Sequence, residues 1–159
     1  MPIVTVDCPY MPIYRDVAAD YGIPWMLLVA QGYRENKWNT YPLGALGELG
    51  IHQLMPSTWE VWKPREDADW KEPRDNIEAA ARYLVACRGW AIRKHGPQWR
   101  WAFAAYNWGI GNVNSKASTW GDVPKHVRVD YVGYIEDVAN ELYILYELED
   151  PVGQALHGR

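Results

Sequence analysis

Residues 47 to 59 read Gly47-Glu48-Leu49-Gly50-Ile51-His52-Gln53-Leu54-Met55-Pro56-Ser57-Thr58-Trp59. The beginning of this stretch continues a glycine-rich segment, residues 39–49, which predicts a loop. At Pro56 the pattern changes, because proline suits the first turn of a helix. Ser57 and Glu60 also have the spacing of a capping box. The stretch therefore predicts a loop that leads directly into a helix.

On both sides of this stretch, apolar residues recur at helical spacing. Upstream, the pattern predicts one helix that opens at Pro12 and ends at Gly22, and a second that runs from Pro24 toward Glu35. Downstream, a capping-box-like start at residues 75–78, residues 98–106 and residues 129–148 predict three further helices. Residues 63–73 predict a surface loop, and residues 107–114, with two glycines, predict a tight loop.

The fold class follows from the absence of convincing strand patterns. No stretch alternates clearly between apolar and polar residues, so the sequence predicts a mainly α fold with at most a small β-hairpin near residues 40–55. A length of 159 residues suits one domain, which we expect to span residues 1–159. The tail after Pro151 is expected to be frayed.

The aromatic composition indicates a groove that binds sugars. The chain has 10 Trp and 11 Tyr but one Phe, and Trp and Tyr combine a flat apolar face with a polar group. Most of these rings are expected in the core and a minority in a cleft. The net charge of -4 argues against a nucleic-acid partner. No metal or cofactor is expected, because the four histidines, His52, His95, His126 and His157, lack metal-ligand spacing.

Glu35 is the first candidate for chemistry. It stands at the end of a strongly apolar helix, where the chain enters the glycine-rich loop. Apolar surroundings would raise the pKa of its carboxyl, as a general acid requires near neutral pH. Its position alone favours a different interpretation, a solvated glutamate paired with Arg34 or Lys37.

Two motifs favour the catalytic interpretation. Residues 47–59 resemble the glycine–aliphatic–x–Gln–aliphatic–Met–Pro–x–Thr signature of lytic transglycosylases, in the goose-type-lysozyme-like part of the lysozyme superfamily. Residues 104–111, Ala-Ala-Tyr-Asn-Trp-Gly-Ile-Gly, resemble that family's Ala-Tyr-Asn-x-Gly-x-Gly block, and Tyr131-Val132 resembles its later Tyr-Val pair. The resemblance covers about residues 12–145 in the family's order. It implies a lysozyme-like (α+β superfamily) fold of about six to eight helices.

The resemblance also implies roles in peptidoglycan cleavage. Glu35 would protonate the glycosidic oxygen between N-acetylmuramic acid and N-acetylglucosamine. It would then deprotonate the muramyl C6 hydroxyl, giving a 1,6-anhydro product. The substrate-binding residues implied are Gln53, Tyr106, Asn107, Tyr131, Asn36 and Met55. Gln53 could instead cap a loop, Tyr106 could fill the core, and Asn107 could occupy a turn.

The sequence departs from the family pattern at several positions. Asn36 stands where the family usually has Ser, and Val127 and Arg128 replace a common Glu-Thr pair. Glu48 stands where a small residue is frequent. It could be a second carboxylate that makes the enzyme a hydrolase, or it could stabilise the loop through a basic neighbour, which is the interpretation favoured. Asp122 and Asp130 are weaker candidates of the same kind.

Two other classes of function stay open: a muramidase on the same fold, and a non-catalytic wall-binding module. We expect a monomer made in the cytoplasm, because residues 1–14 lack a signal-peptide pattern. It would act on the wall as a phage lysin or virion domain, or as a secreted enzyme if a leader was removed. Residues 23–30, the longest apolar run, are too short for membrane insertion. Cys8 and Cys87 could pair or remain buried thiols.

Overall fold

The computed structural model describes residues 1–41 and 44–149, with side chains as far as Tyr146. Its α-helices are α1 (Met11–Tyr21), α2 (Trp25–Asn36), α3 (Pro56–Trp62), α4 (Pro73–His95), α5 (Trp99–Trp108), α6 (Ile110–Lys116), α7 (Lys125–Val127) and α8 (Tyr134–Glu149). A 3₁₀ turn, Trp120–Asp122, precedes α7, and a π-helical segment, Arg128–Gly133, joins α7 to α8. Within the described ranges, β structure is limited to one antiparallel bridge between Leu49 and Leu54. The mainly α prediction is confirmed, and the predicted frayed tail lies outside the described residues.

Helix α2 lies in the core, where Leu28, Val29 and Ala30 are fully buried. It packs against α8 and α1, and α4 packs against α5, α1 and α3. A smaller apolar cluster, of Leu54, Trp59, Ala79 and Ala80, joins the bridge region to α3 and α4. The loop after α2 therefore contributes to both clusters, because Ile51 belongs to the main core and Leu54 to the smaller cluster. None of the helices among the described residues has the length and the apolar character needed to cross a membrane.

Both predicted capping boxes are wrong. Helix α3 has Met55 at its N-cap without a side-chain cap, and the carboxylate of Glu60 accepts a hydrogen bond from Lys63 at 2.9 Å instead. Helix α4 begins at Pro73, two residues before the predicted start. Asp75 therefore lies in its first turn, where its carboxylate binds groups outside the helix instead of capping it. Asp75 accepts hydrogen bonds from Arg65 at 2.6 and 2.9 Å, and from the backbone N–H of Asp69 at 3.0 Å.

The predictions for two later segments were also incomplete. Residues 107–114 were predicted as a tight loop, but α6 begins at Ile110, directly after Gly109. Gly109 has φ 94°, so one glycine in a conformation that L side chains rarely adopt makes the whole bend. The predicted helix over residues 129–148 is interrupted at its start by the π-helical segment. Apolar spacing does not reveal such an interruption, because it lasts a single wide turn.

The two cysteines do not form a disulfide. Cys8 and Cys87 are both free and buried, and burial raises the pKa of each thiol to about 12. Both thiols are therefore protonated and unreactive near neutral pH.

Candidate active site

Glu35 stands in the last turn of α2, directly before a sharp reversal of the chain. Lys37 and Trp38 both have positive φ, 47° and 61°, which is rare for residues with bulky side chains. Trp38 is buried, and its indole N–H donates a hydrogen bond to the carbonyl of Val29 at 3.0 Å. Its ring packs against Tyr33 with centroids 4.7 Å apart. These contacts hold a strained turn that leaves the Glu35 carboxyl at the end of the helix.

The surroundings of Glu35 favour its protonated form. Burial raises the pKa of Glu35 to about 7, and this effect outweighs a hydrogen bond from the Tyr131 hydroxyl and the nearby Arg34, which both lower it. The charge of Glu48 raises it further. Tyr131 donates its hydroxyl proton to Oε1 of Glu35. At neutral pH the carboxyl can therefore both give and accept a proton.

Arg34 is turned away from a direct ion pair with Glu35. Its Nε donates to the carbonyl of Asp130 at 3.3 Å, and its guanidinium lies 5.3 Å from the centroid of the Tyr131 ring and 5.7 Å from that of Tyr134. The solvated pair that Glu35 could have formed with Arg34 or Lys37 does not occur within the described residues. Arg34, Glu35, Asp130 and Tyr134 instead line one cleft of about 530 Å³.

Asn36 and Gln53 meet at the carbonyl of Gly50. The Asn36 amide donates to the carbonyls of Asn39 at 3.0 Å, Tyr41 at 2.9 Å and Gly50 at 3.3 Å. The Gln53 amide donates to Gly50 at 2.8 Å and to Tyr41 at 3.2 Å. Asn36 is buried and commits its amide hydrogens to the loop, whereas Gln53 is half-buried with φ 47°. A non-glycine residue in this conformation next to a candidate catalytic group fits a functional position.

Tyr106 also reaches this loop. Its hydroxyl donates to the carbonyl of His52 at 3.0 Å, and it is close enough to Glu35 for the carboxylate charge to raise its pKa. Asn107 is exposed on the last turn of α5, and its amide has no hydrogen-bond partner in the described part of the chain. Met55 is 39% exposed at the start of α3. The structure thus groups Glu35, Tyr131 and Tyr106, and leaves Asn107 and Met55 at the surface.

The other candidate carboxylates, Glu48, Asp122 and Asp130, lie in different surroundings relative to Glu35. Glu48 accepts a hydrogen bond from the backbone N–H of Leu46 at 3.1 Å, and its charge acts on Glu35. Asp122 accepts hydrogen bonds from the N–H groups of Ser118 and Thr119 at 2.9 and 2.8 Å and so closes the 3₁₀ turn. Asp130 is exposed in the Glu35 cleft. Over residues 1–41 and 44–149, His, Cys and acidic side chains do not gather in threes that could hold a metal ion.

Two residues behind Tyr131, Gln31 and His52, were not among the predicted site residues. His52 is fully buried. Its Nδ1 lies 3.2 Å from Oε1 of Gln31, and Gln31 Nε2 lies 3.1 Å from the Tyr131 hydroxyl. One signal was available: Gln31 is a polar residue on the apolar face of a helix, and such residues need a buried partner.

Known proteins resemble this chain in both sequence and fold. Residues 13–128 match the sequence model of the family described as the transglycosylase SLT domain. Membrane-bound lytic murein transglycosylase F of Stutzerimonas stutzeri is 31% identical over 107 residues, which cover 65% of this chain and 21% of that protein. The protein of the same name from Thiobacillus denitrificans is 35% identical over 94 residues, covering 58% of this chain and 19% of that protein.

Solved structures share the fold. Lytic transglycosylase Slt of Pseudomonas aeruginosa, solved as an inactive mutant, matches with a TM-score of 0.71 at 19% identity over 89% of this chain and 24% of that chain. The 70-kDa soluble lytic transglycosylase SLT70 of Escherichia coli matches with a TM-score of 0.66 at 23% identity, over 89% of this chain and 25% of that chain. The lysozyme-like fold prediction is confirmed. The chain spans about a fifth of the curated relatives and a quarter of these structures.

Proposed function

Because the chain belongs to the transglycosylase SLT domain family, as the motif resemblance predicted, we propose that it cleaves the glycan strands of bacterial peptidoglycan. The bond cleaved is the β-1,4 bond between N-acetylmuramic acid and N-acetylglucosamine, and the products carry 1,6-anhydromuramyl ends. The relatives named lytic murein transglycosylase support this reaction. The observation that carries the proposal is the partly buried Glu35 carboxyl, which lines the cleft and accepts a hydrogen bond from Tyr131. Its pKa of about 7 suits a group that gives and then accepts a proton.

In the first step the protonated Glu35 donates its proton to the glycosidic oxygen, and the C1–O bond of the muramyl sugar breaks. The N-acetyl group of that sugar stabilises the positive charge that develops at C1. In the second step the C6 hydroxyl of the same sugar attacks C1, and the Glu35 carboxylate accepts its proton. Glu35 ends protonated, so the cycle is balanced and consumes no water.

Other residues near Glu35 have supporting roles in this proposal. Tyr131 holds Oε1 of Glu35, and Tyr106 holds the loop that carries Gln53 through its hydrogen bond to His52. Gln53 is the nearest candidate for contact with the sugar, because it is half-buried and lies beside the glycine-rich loop. Asn107 and Met55 are proposed as contacts at the cleft surface.

A muramidase is the alternative that one observation favours. The charge of Glu48 acts on Glu35, so a second carboxylate stands near the acid. If Glu48 oriented a water molecule toward C1, the same bond would be hydrolysed and the product would carry a reducing end.

Mass spectrometry of fragments from purified peptidoglycan separates these candidates. Wild type, Glu35→Gln and Glu48→Gln are incubated with walls of several chemotypes. We expect anhydromuramyl fragments from wild type and Glu48→Gln, and none from Glu35→Gln. Reducing-end fragments that Glu48→Gln abolishes would support the muramidase. No fragments from wild type, with retained sedimentation on walls, would leave a wall-binding module.

The proposed place of action is the bacterial cell wall. Two sources fit the chain: a phage lysin or virion protein, and a bacterial enzyme delivered to the wall. The single-domain organisation over residues 1–159 is a proposal of the same kind, which limited proteolysis tests. The monomeric state is another, which gel filtration with light scattering tests.

A further inference from the structure

Four buried side chains form a continuous line of hydrogen bonds that ends at Glu35. The Tyr14 hydroxyl lies 2.8 Å from Nε2 of His52, His52 Nδ1 lies 3.2 Å from Oε1 of Gln31, and Gln31 Nε2 lies 3.1 Å from the Tyr131 hydroxyl. Tyr131 then reaches Glu35. Tyr14, His52 and Gln31 are fully inaccessible, and Tyr131 is 2% exposed. We call Tyr14, His52, Gln31 and Tyr131 the buried relay.

The direction of every hydrogen bond in the buried relay follows from the groups at its two ends, Glu35 and Tyr14. When Glu35 is a carboxylate it can only accept, so Tyr131 gives it the one hydroxyl proton available. Tyr131 must then accept from its other neighbour, which fixes the Gln31 NH₂ group toward Tyr131 and the Gln31 carbonyl toward His52. A carbonyl only accepts, so His52 carries its proton on Nδ1. Its Nε2 therefore accepts the proton of Tyr14.

When Glu35 is neutral, the Tyr14 end keeps the same order. In the reversed order His52 would donate from Nε2 to Tyr14, and the buried Tyr14 hydroxyl proton would lack an acceptor among the described residues. Complete burial also lowers the pKa of His52 to about 3, so the ring stays neutral near neutral pH. With one tautomer and one amide orientation, the relay has a single low-energy arrangement.

The packing around the relay shows that the protein provides space for it. Gly32 lies inside α2, where glycine is unfavourable, and a Cβ at that position would lie 2.0 Å from the Tyr14 hydroxyl and 3.2 Å from His52 Nε2. Apolar side chains would fill a core position without needing partners. A polar line in this core therefore calls for a reason other than packing.

We propose that Tyr14, His52 and Gln31 are positioning residues that keep Tyr131 a hydrogen-bond donor to Oε1 of Glu35, whether that carboxyl is charged or neutral. Since Oε1 is occupied, the proton of neutral Glu35 resides on Oε2, the oxygen left for substrate. The relay thus selects which oxygen acts as acid and base. This inference rests on the proposed catalytic role of Glu35.

Nuclear magnetic resonance can test the relay without an activity assay. The side-chain carboxyl of Glu35 is followed in ¹³C-glutamate-labelled protein during a pH titration, with Glu35→Gln to assign its signal. The variants are Gln31→Met, Tyr131→Phe, the double variant, and Leu142→Ala as a control. Leu142 is buried in α8, 11 residues beyond Tyr131, and makes no hydrogen bond to the relay, so its truncation is expected to lower stability alone. The other groups near Glu35 stay constant across the set, namely Arg34, Lys37, Glu48, Tyr106 and Asp130.

We expect Gln31→Met to raise the titration midpoint of Glu35 by roughly half a unit, because Tyr131 becomes a weaker donor. Tyr131→Phe should raise it more, and the double variant should match Tyr131→Phe. Leu142→Ala should leave it unchanged. In wall digestion, Gln31→Met should lower kcat roughly threefold or more with little change in KM, since the group affected is the acid and not a sugar contact.

Two outcomes would overturn the proposal: a folded Gln31→Met protein with an unchanged midpoint, or a Gln31→Met shift that persists in the Tyr131→Phe background. If Gln31→Met does not fold, Tyr14→Phe removes a single hydroxyl and is expected to show a smaller shift that Tyr131→Phe also cancels. A wild type that titrates as expected but releases no wall fragments would contradict the proposed function and leave the relay intact. If the wild type releases wall fragments but Gln31→Met leaves the Glu35 midpoint unchanged, the proposed function stands and the role of the relay is contradicted.

Discussion

The hydroxyl oxygen of Tyr14 occupies the space beside Gly32, 2.0 Å from the point where a Cβ of residue 32 would lie. Helix α2 therefore carries a glycine in its interior, at a cost of about 1 kcal/mol in helix propensity relative to alanine. The space is used by a side chain from α1, and through it by His52 from the loop before α3. Helix α2 is thus adapted to the polar groups packed on it.

Gly32→Ala should destabilise the protein, although alanine is the better helix former. The added Cβ would displace Tyr14 or α2, and overpacking of this kind costs about 1–3 kcal/mol. Gly89 is the matched control, because it also lies inside a helix but a Cβ there would meet nothing within 4 Å. Gly89→Ala should stabilise by up to about 1 kcal/mol in urea unfolding. Equal effects of the two substitutions would contradict the close contact.

Tyr131→Phe should move the pH dependence of wall cleavage upward. The Tyr131 hydrogen bond lowers the pKa of Glu35, so its removal raises that pKa above about 7. The loss of activity at high pH, where Glu35 has lost its proton, should therefore shift up by about one unit in kcat/KM profiles. The maximal rate should fall about tenfold, because the carboxyl is less well oriented. A kcat/KM profile that loses activity at the same pH as wild type would show that Tyr131 does not influence the pKa of Glu35.

Glu35→Gln should be more stable than wild type above neutral pH. The pKa of Glu35 is raised from 4.5 to about 7, so the folded protein holds a proton that the unfolded chain releases. Glu35 therefore lowers the free energy of unfolding of the wild type as the pH rises. This loss is absent below about pH 4.5 and complete above about pH 7, where it amounts to about 3 kcal/mol. Urea unfolding of both proteins across this range measures the difference. A difference that does not change with pH would show that Glu35 titrates normally.

The contribution of His52 to the stability of the fold changes with pH in the opposite direction. Burial lowers its pKa from 6.5 to about 3, so below about pH 6.5 the unfolded chain binds a proton that the folded protein does not. Stability supplied by neutral His52 is therefore lost on acidification. His52→Gln should be less stable than wild type at about pH 7.5, and the gap should narrow by about 2 kcal/mol at about pH 5. His126→Gln, which removes an imidazole at an exposed position, is the control variant.

Asn36→Ser should lower both the stability of the protein and its proposed wall-cleaving activity, even though it restores the residue that the family usually has. Asn36 donates to three loop carbonyls, and a serine hydroxyl can supply one donor. We expect a loss of about 1–3 kcal/mol in the free energy of unfolding. KM should rise more than kcat falls, because the loop that carries Gln53 loosens. Asn140→Ser, at an exposed position on α8, is the control, and an equal effect there would deny Asn36 its role in the loop.

The sequence predicted the fold where local chemistry determines it. Gly22 ends α1 in a left-handed conformation, φ 68°, and α2 ends at Asn36, one residue beyond the predicted Glu35. Both ends were predictable because apolar spacing and glycine act over a few neighbours. The capping predictions failed at Ser57 and Asp75 because side-chain oxygens there bind partners other than the helix N–H groups, or none. Those partners are chosen by tertiary packing, which short spacing rules do not include.

The candidate site divides in the same way. The motifs predicted Glu35 as the acid and placed Tyr131 among the site residues. The buried relay could not be found, because Tyr14, Gln31 and His52 come from separate elements and meet through long-range contacts. Asn36 was expected near substrate, and its burial under the loop depends on where the backbone carbonyls of residues 39, 41 and 50 lie.

The π-helical segment Arg128–Gly133 constrains the length of the chain as well as its sequence. A π turn contains one residue more than an α turn, so this segment holds a residue that a continuous helix from Lys125 to Glu149 would not need. Deleting one residue there would let the helix close regularly, but it would rotate the segment by about 100° relative to α8. Tyr131 would then leave Glu35. Insertions and deletions between Pro124 and Tyr134 should therefore be tolerated far less than substitutions of exposed side chains such as Val129.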